Sequence, residues 1–223
     1  MHEFSVCNLL KLTNPIKELS LNLASNDDEI SWIITHQTTC NTKFGANLFT
    51  VSDFIKANQV LLQDIESDDL ELVCRNYWHN IINVTSEWKA IINKKKLAVD
   101  QRTTYINCQP FALNAYAVVG NYLLKQGISS YRAQLMQISN IDWTEANPNW
   151  IVKKMALSGC AESLSIALQL TLKTHLNIQF DDDREVIHEF VLNEFSDLFN
   201  SIEQTLEVNV NDYESSCKYK RFN

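Results

Sequence analysis

Apolar residues recur at spacings of three and four along most of this chain, while glycine and proline are scarce, four and three in 223 residues. Such spacing lays apolar side chains on one face of an α-helix and few breakers interrupt it, so the pattern predicts a mainly α-helical protein. In "SNDDEISWIITH", Asn and Asp capping candidates precede Ile30, Trp32, Ile33 and Ile34, and the run fits either a helix start or a buried strand. "TVSDFIKANQVLLQDI" is plainer: Thr50 or Ser52 caps a helix whose apolar stripe is Phe54, Ile55, Val60, Leu61 and Leu62. From Ser67 to Asn93, Leu70, Val73, Trp78, Ile81, Ile82, Trp88 and Ile92 predict two short helices meeting near "NVTSEW". Lys94, Lys95 and Lys96 then mark an exposed end, where cations suit the negative end of a helix dipole.

"QPFALNAYAVVGNYLLKQG" predicts the central helix, with Pro110 in its first turn, Phe111, Leu113, Ala117, Val118, Leu123 and Leu124 as contacts, and Gly127 at its C-terminal cap. "AESLSIALQLTLKTHL" reads as a buried helix, although β-branched Ile166, Thr171 and Thr174 leave a strand open for part of it. The acids of "DDDRE" begin a long C-terminal helix carrying Ile187, Val191, Phe195, Leu198, Ile202 and Leu206, followed by a frayed tail, "DYESSCKYKRFN". Without a Gly- or Ser-rich linker, residues 1–223 read as a single compact helical domain, with 179–223 as its C-terminal helix and tail.

One stretch breaks the rhythm. "IDWTEANPNW", residues 141–150, places Trp143 and Trp150 on either side of an Asn-Pro step. Asn147 can cap and Pro148 can open a new helix over "NPNWIVKKMAL", which makes the stretch a corner. Two readings of the tryptophans stand: core residues at a helix-helix bend, or a platform for a ligand or a base.

Charge narrows the function classes. The formal net charge is -8 and the sequence pI about 5.1, so the summed field repels nucleic acid unless Lys and Arg gather on one face. The candidate nucleic-acid contacts are Lys94, Lys95, Lys96, Arg102, Arg132, Lys153 and Lys154, with Lys218, Lys220 and Arg221 in the tail. Scattered solubilising charges are equally consistent with these positions.

Six cysteines, Cys7, Cys40, Cys74, Cys108, Cys160 and Cys217, form no Cys-x-x-Cys and read as reduced thiols of a cytoplasmic protein. The even intervals between Cys40, Cys74 and Cys108 have dissimilar flanks and do not make a repeat. No signal peptide or membrane-spanning run is expected. His36, His79, His175 and His188 are dispersed, no nucleophile and base pair up, and no metal-ligand spacing or Gly-rich phosphate loop occurs, so no metal, cofactor or enzyme activity is assigned. The runs "DDDRE" and "DIESDDLE" lack the turning glycine of a Ca²⁺ loop and read as solvated helix starts.

Three stretches together carry a resemblance. "NLFTVSDFIKANQVLL" (47–62), "RTTYINCQPFALNAYAVVGNYLL" (102–124) and "IDWTEANPNW" with the later "LTLK" (170–173) follow the order of motifs in the C-terminal half of the DndB family, within the wider DGQHR-domain group. The similar motifs are a Leu-Phe-Thr-Leu-Ser run entering a helix, an Arg and Tyr-Ile followed by Leu-Ala/Gly-x-x-Gly, and Ile-Asp-Trp with Asn-Pro-x-Trp and Leu-Thr. The resemblance covers about residues 20–178 and places Tyr105, Gly120, Asp142, Trp143, Asn147, Pro148 and Trp150 at family-motif positions, read as structural.

It implies an accessory and regulatory protein of the DNA phosphorothioation system, in which sulfur replaces a non-bridging phosphate oxygen. Transcription of the modification genes is the implied target. Implied partners are the other proteins of that system, with double-stranded DNA as a further partner, no membrane, and an oligomer compatible with the sequence. The alternative is a purely protein-binding helical scaffold without DNA contact. Two departures stand out. The Asp-Gly-Gln-His-Arg signature is missing, imitated only by Asp100-Gln101-Arg102 in a pre-helical setting, and "ALSGCAES" replaces a basic Gly-Arg loop. A shortened or split relative, working beside a separate N-terminal partner, is the expectation.

Overall fold

A computed structural model describes residues 14–37, 47–127, 131–147, 150 and 161–178. Over these residues the chain is mainly α-helical and compact, with a single pair of two-residue strands. Helix α1 (Pro15–Asn26) starts where Asn14 Oδ1 accepts the N–H groups of Ile16 and Lys17, at 3.1 and 3.4 Å, with Pro15 in the first turn. The ambiguous "EISWIIT" run is both things in succession. Ile30–Ile33 form the short helix α2, and Ile34–Thr35 leave it as β1, parallel to β2 (Phe49–Thr50) with Ile34 beside Phe49.

Thr50 also begins α3 (Val51–Leu61) through a reciprocal cap: its hydroxyl accepts the Asp53 N–H at 3.1 Å and the Asp53 carboxylate reaches back to Thr50. The buried face of α3 is Phe54, Ala57, Asn58 and Leu61, so Ile55 and Val60 flank the expected stripe. The 67–93 segment does split into two helices, α4 (Leu70–Val84) and α5 (Ser86–Ile92), though α4 is not short. They part at Thr85, whose hydroxyl donates to the Ile81 carbonyl at 2.8 Å while its backbone turns extended.

Helix α6 (Ala98–Thr104) contains Asp100-Gln101-Arg102, which therefore lies inside a helix and not before one. A 3-10 turn (Ile106–Cys108) leads to α7 (Pro110–Lys125), begun by Pro110 and ended at Gly127 with φ of 61°. Short α8 (Tyr131–Leu135) and a 3-10 turn (Met136–Asn140) precede the tryptophan stretch, and α9 is Ala161–His175. The strand alternative for that last segment does not hold, because the Thr171 and Thr174 hydroxyls bond back to carbonyls four residues earlier, both at 2.9 Å, within an unbroken helix. The "NPNWIVKKMAL" helix beyond Trp150 and the long C-terminal helix lie outside the described residues.

Helix α7 is central, packed against both α3 and α9, while α1 packs on α3. Close approach at its middle depends on Gly120: a Cβ there would lie 2.4 Å from Tyr77 Cζ and 2.6 Å from Leu61 Cδ1. Tyr77 enters that space from α4 and donates its hydroxyl to the Tyr116 carbonyl. Nearby, the fully buried Asn58 accepts from Trp78 Nε1 at 2.7 Å and from the Cys74 thiol at 3.2 Å, and donates to Ser20 at 2.9 Å. One amide thus satisfies three buried polar groups from α1 and α4, a requirement of any dry interior.

Candidate functional site

The core leads by aromatic contacts to the tryptophan corner. Phe49 meets Trp88 edge-on at 5.0 Å, Trp88 meets Tyr116 at 5.5 Å, Tyr116 meets Trp143 at 6.3 Å, and Trp143 stacks on Trp150 at 5.5 Å with 16° between the planes. Edge-to-face and offset contacts of this kind suit the ring quadrupoles. Trp143 and Trp150 are only 3% and 5% exposed. An indole buried against another indole has no free face for a base, so the pair forms a packed corner and not a platform.

The backbone of Asp142 closes that corner. Its carbonyl accepts from Trp150 Nε1 at 2.7 Å and from Asn147 Nδ2 at 3.0 Å. Its carboxylate accepts the Thr144 N–H at 3.0 Å and the Thr144 hydroxyl at 2.8 Å, and these bonds hold the exposed Asp142 below the ordinary carboxylate range. Tyr105 forms an antiparallel bridge with Thr144, the Ile106 N–H donates to the Trp143 carbonyl at 2.9 Å, and the Glu145 N–H donates to the Thr104 carbonyl at 2.8 Å. Tyr105 and the distant stretch that carries Asp142, Trp143, Asn147 and Trp150 are therefore one assembly. Gly120 serves the separate α7–Tyr77 approach, and Pro148 lies outside the described residues.

The basic candidates separate. Lys94, Lys95 and Lys96 are exposed on the turn that ends α5: Lys94 adopts φ of 55°, its N–H donates to the Ile91 carbonyl at 2.8 Å, and the N–H groups of Lys95 and Lys96 return to the Ala90 carbonyl at 2.8 and 3.2 Å. Arg102 does not join them. It is 9% exposed, with its guanidinium donating to the Asn47 carbonyl, and so it fastens α6 to the start of β2 instead of facing a phosphate. Arg132 is exposed on α8, while Lys153, Lys154, Lys218, Lys220 and Arg221 lie outside the described residues.

Beside the lysine turn is a residue that the candidate set omitted. Trp32 is 41% exposed, whereas Trp78, Trp88, Trp143 and Trp150 are all buried, and Lys94 Nζ lies 4.4 Å from the centre of its ring. The signal was present in the spacing: Ile30 and Ile33 share one face of α2, which turns position 32 away from it. Trp32 is held in place through its backbone, because Asn47 Nδ2 donates to the carbonyls of Ser31, Trp32 and Ile34 at 3.1–3.2 Å.

Several other titratable groups among the described residues serve structure. His79 Nε2 lies 2.9 and 3.0 Å from the two oxygens of the buried Asp27, which also accepts the N–H groups of Glu29 and Ile30 and pairs with Arg75 at 3.4 Å. Burial pushes the Asp27 carboxyl up, but the Ile30 N–H, His79 and the Glu29 N–H outweigh it and hold the group below its ordinary range. His36 contacts the Ser25 hydroxyl and His175 the Thr171 carbonyl. The buried thiols of Cys74 and Cys108 are free and pushed up chiefly by burial, which disfavours a nucleophilic thiolate. Among the described residues no cluster of His, Cys, Asp or Glu could hold a metal ion, and no helix is long and apolar enough to cross a membrane.

Comparison with known families matches residues 35–181 to the DndB family, described as DNA-sulfur modification-associated. No curated protein and no solved structure matches the chain.

Proposed function

From the premise that this chain belongs to the DndB family of DNA-sulfur modification-associated proteins, we propose that it is an accessory, regulatory member of a DNA phosphorothioation system, binding partner proteins of that system and double-stranded DNA. Association with DNA sulfur modification follows from the family. The observation that carries the reading is the extent of the match, which runs from β1 to beyond α9 and takes in both the central helix and the tryptophan corner. Among the described residues the His79–Asp27 pair and the Cys74 thiol are taken up in packing, which is compatible with a regulatory role. The DNA contact starts from the exposed Lys94–Lys96 turn, a compact positive feature among the described residues of an acidic chain.

A second reading, a protein-binding scaffold that avoids DNA, draws on the net charge of -8. Mobility-shift assays at low and moderate salt, with and without the proteins encoded beside this one, separate the two. A DNA-binding regulator shifts duplex DNA at low salt, loses it steeply as salt rises, and weakens broadly when Lys94, Lys95 and Lys96 are reversed to glutamate. A scaffold leaves the duplex unshifted and keeps its partners in the triple variant. Association with neither DNA nor those proteins contradicts both readings.

A further inference from the structure

We infer that Trp32 and the Lys94–Lys96 turn form a binding site for single-stranded DNA, the indole stacking an unpaired base and the lysines meeting its flanking phosphates. The inference rests on the reading that this protein meets duplex DNA through the same lysine turn, and it adds that the site takes an unpaired strand where that duplex opens. Trp32 is the exposed tryptophan of the described set, and an aromatic ring at the surface beside cations has the components on which single strands stack and pair. Its backbone is fixed by the Asn47 amide, so the ring is presented from a rigid base at little ordering cost. Lys94 adds the second component. Its backbone occupies the left-handed region that glycine favours, and its ammonium rests 4.4 Å from the ring centre.

That cation–π contact is exchangeable. A base arriving on the indole displaces the ammonium, and a phosphate one bond system away receives it, so the lysine trades a ring for an anion while the base gains a stacking surface. Lys95 and Lys96, both exposed and both anchored through their N–H groups to Ala90, extend the positive charge along the backbone path. Base stacking combined with phosphate neutralisation selects unpaired strands, since every base has a π-face but a duplex hides it. Transiently open DNA is the chemistry this site fits.

The test measures fluorescence anisotropy of the full chain with a labelled oligothymidine and with a labelled duplex of equal length, across a salt series. The expected result is tighter binding of the single strand, quenching of tryptophan emission on binding, loss of affinity on the order of tenfold in Trp32→Ala, and recovery of most of it in Trp32→Phe, which keeps a stacking face. Changing Lys94, Lys95 and Lys96 to glutamine should flatten the logarithmic salt slope by about 2. Equal affinity of Trp32→Ala and the parent for oligothymidine overturns the inference, as does duplex binding without single-strand binding, although that last result leaves the regulatory reading intact. Loss of a partner protein in Trp32→Ala without any oligonucleotide binding makes the patch a protein interface and also overturns it. Circular dichroism of each variant separates a lost contact from a lost fold.

Discussion

At position 120 the absence of a side chain decides how closely two helices meet. Tyr77 occupies the volume that a Cβ of residue 120 would need, and its hydroxyl bond to the Tyr116 carbonyl keeps it there. Gly120→Ala should gain about 1 kcal/mol of helix propensity and lose about 1–3 kcal/mol to overpacking, a net loss of up to about 2 kcal/mol. A lower urea midpoint with an unchanged slope checks this; a raised midpoint means that Tyr77 swings away freely. Trp143 and Trp150 make a second residue-scale case. Truncating either to Ala should cost about 3–5 kcal/mol, and because the rings stack on each other the double variant should cost less than the sum, by roughly 0.5–3 kcal/mol. Additive losses in denaturation would show that the stack contributes no coupling. Spacing marked both indoles as apolar anchors at a bend, but Asn58 was invisible as a hub: it occupies a stripe position of α3, and only the folded neighbours Trp78, Cys74 and Ser20 explain an amide there.

Among the elements, caps and breaks were the most legible features. Thr50, Pro110 and Gly127 act at helix ends because they satisfy or forgo local backbone groups, which needs no tertiary partner. Joins between elements were not legible, and Asp27 is the clearest example. It follows α1, starts α2 and receives His79 and Arg75 from α4, three elements held by one buried carboxylate. Its folded-state pKa lies below the unfolded value, so the stabilisation it confers is fully present above the ordinary carboxylate range and is lost as pH falls through the lowered value. In acid titrations followed by circular dichroism, Asp27→Asn should be less stable than the parent near neutrality by about 1–3 kcal/mol, with the gap closing below about pH 4. A gap that stays constant into acid would mean that the Asp27 charge contributes nothing. The same network uses His79, which stood in the sequence only as a dispersed histidine.

For the molecule as a whole, α7 joins the early helices to α9 and the aromatic path runs on to the corner, so the described elements share a core instead of stacking as a repeat. Charge works differently at this scale, because a net value fixes the average field while binding depends on where the minority charges sit. Arg102 and the Lys94–Lys96 turn were equal candidates on paper; folding buried the first at Asn47 and exposed the second beside Trp32. By itself the sequence determined the helical class, the ends of the helices around Thr50, Thr85, Pro110 and Gly127, the bend at the two tryptophans and the family, since periodicity, capping and motif order are properties of neighbouring residues along the chain, whereas α1, α6 and α8 went unread. Only the tertiary structure decided that Tyr105 and Asp142 belong to one assembly, that Gly120 makes room for Tyr77, and that one tryptophan of five is turned outward to a cation. Those outcomes depend on which surfaces meet after the backbone has folded back, and separation along the chain carries no record of that distance.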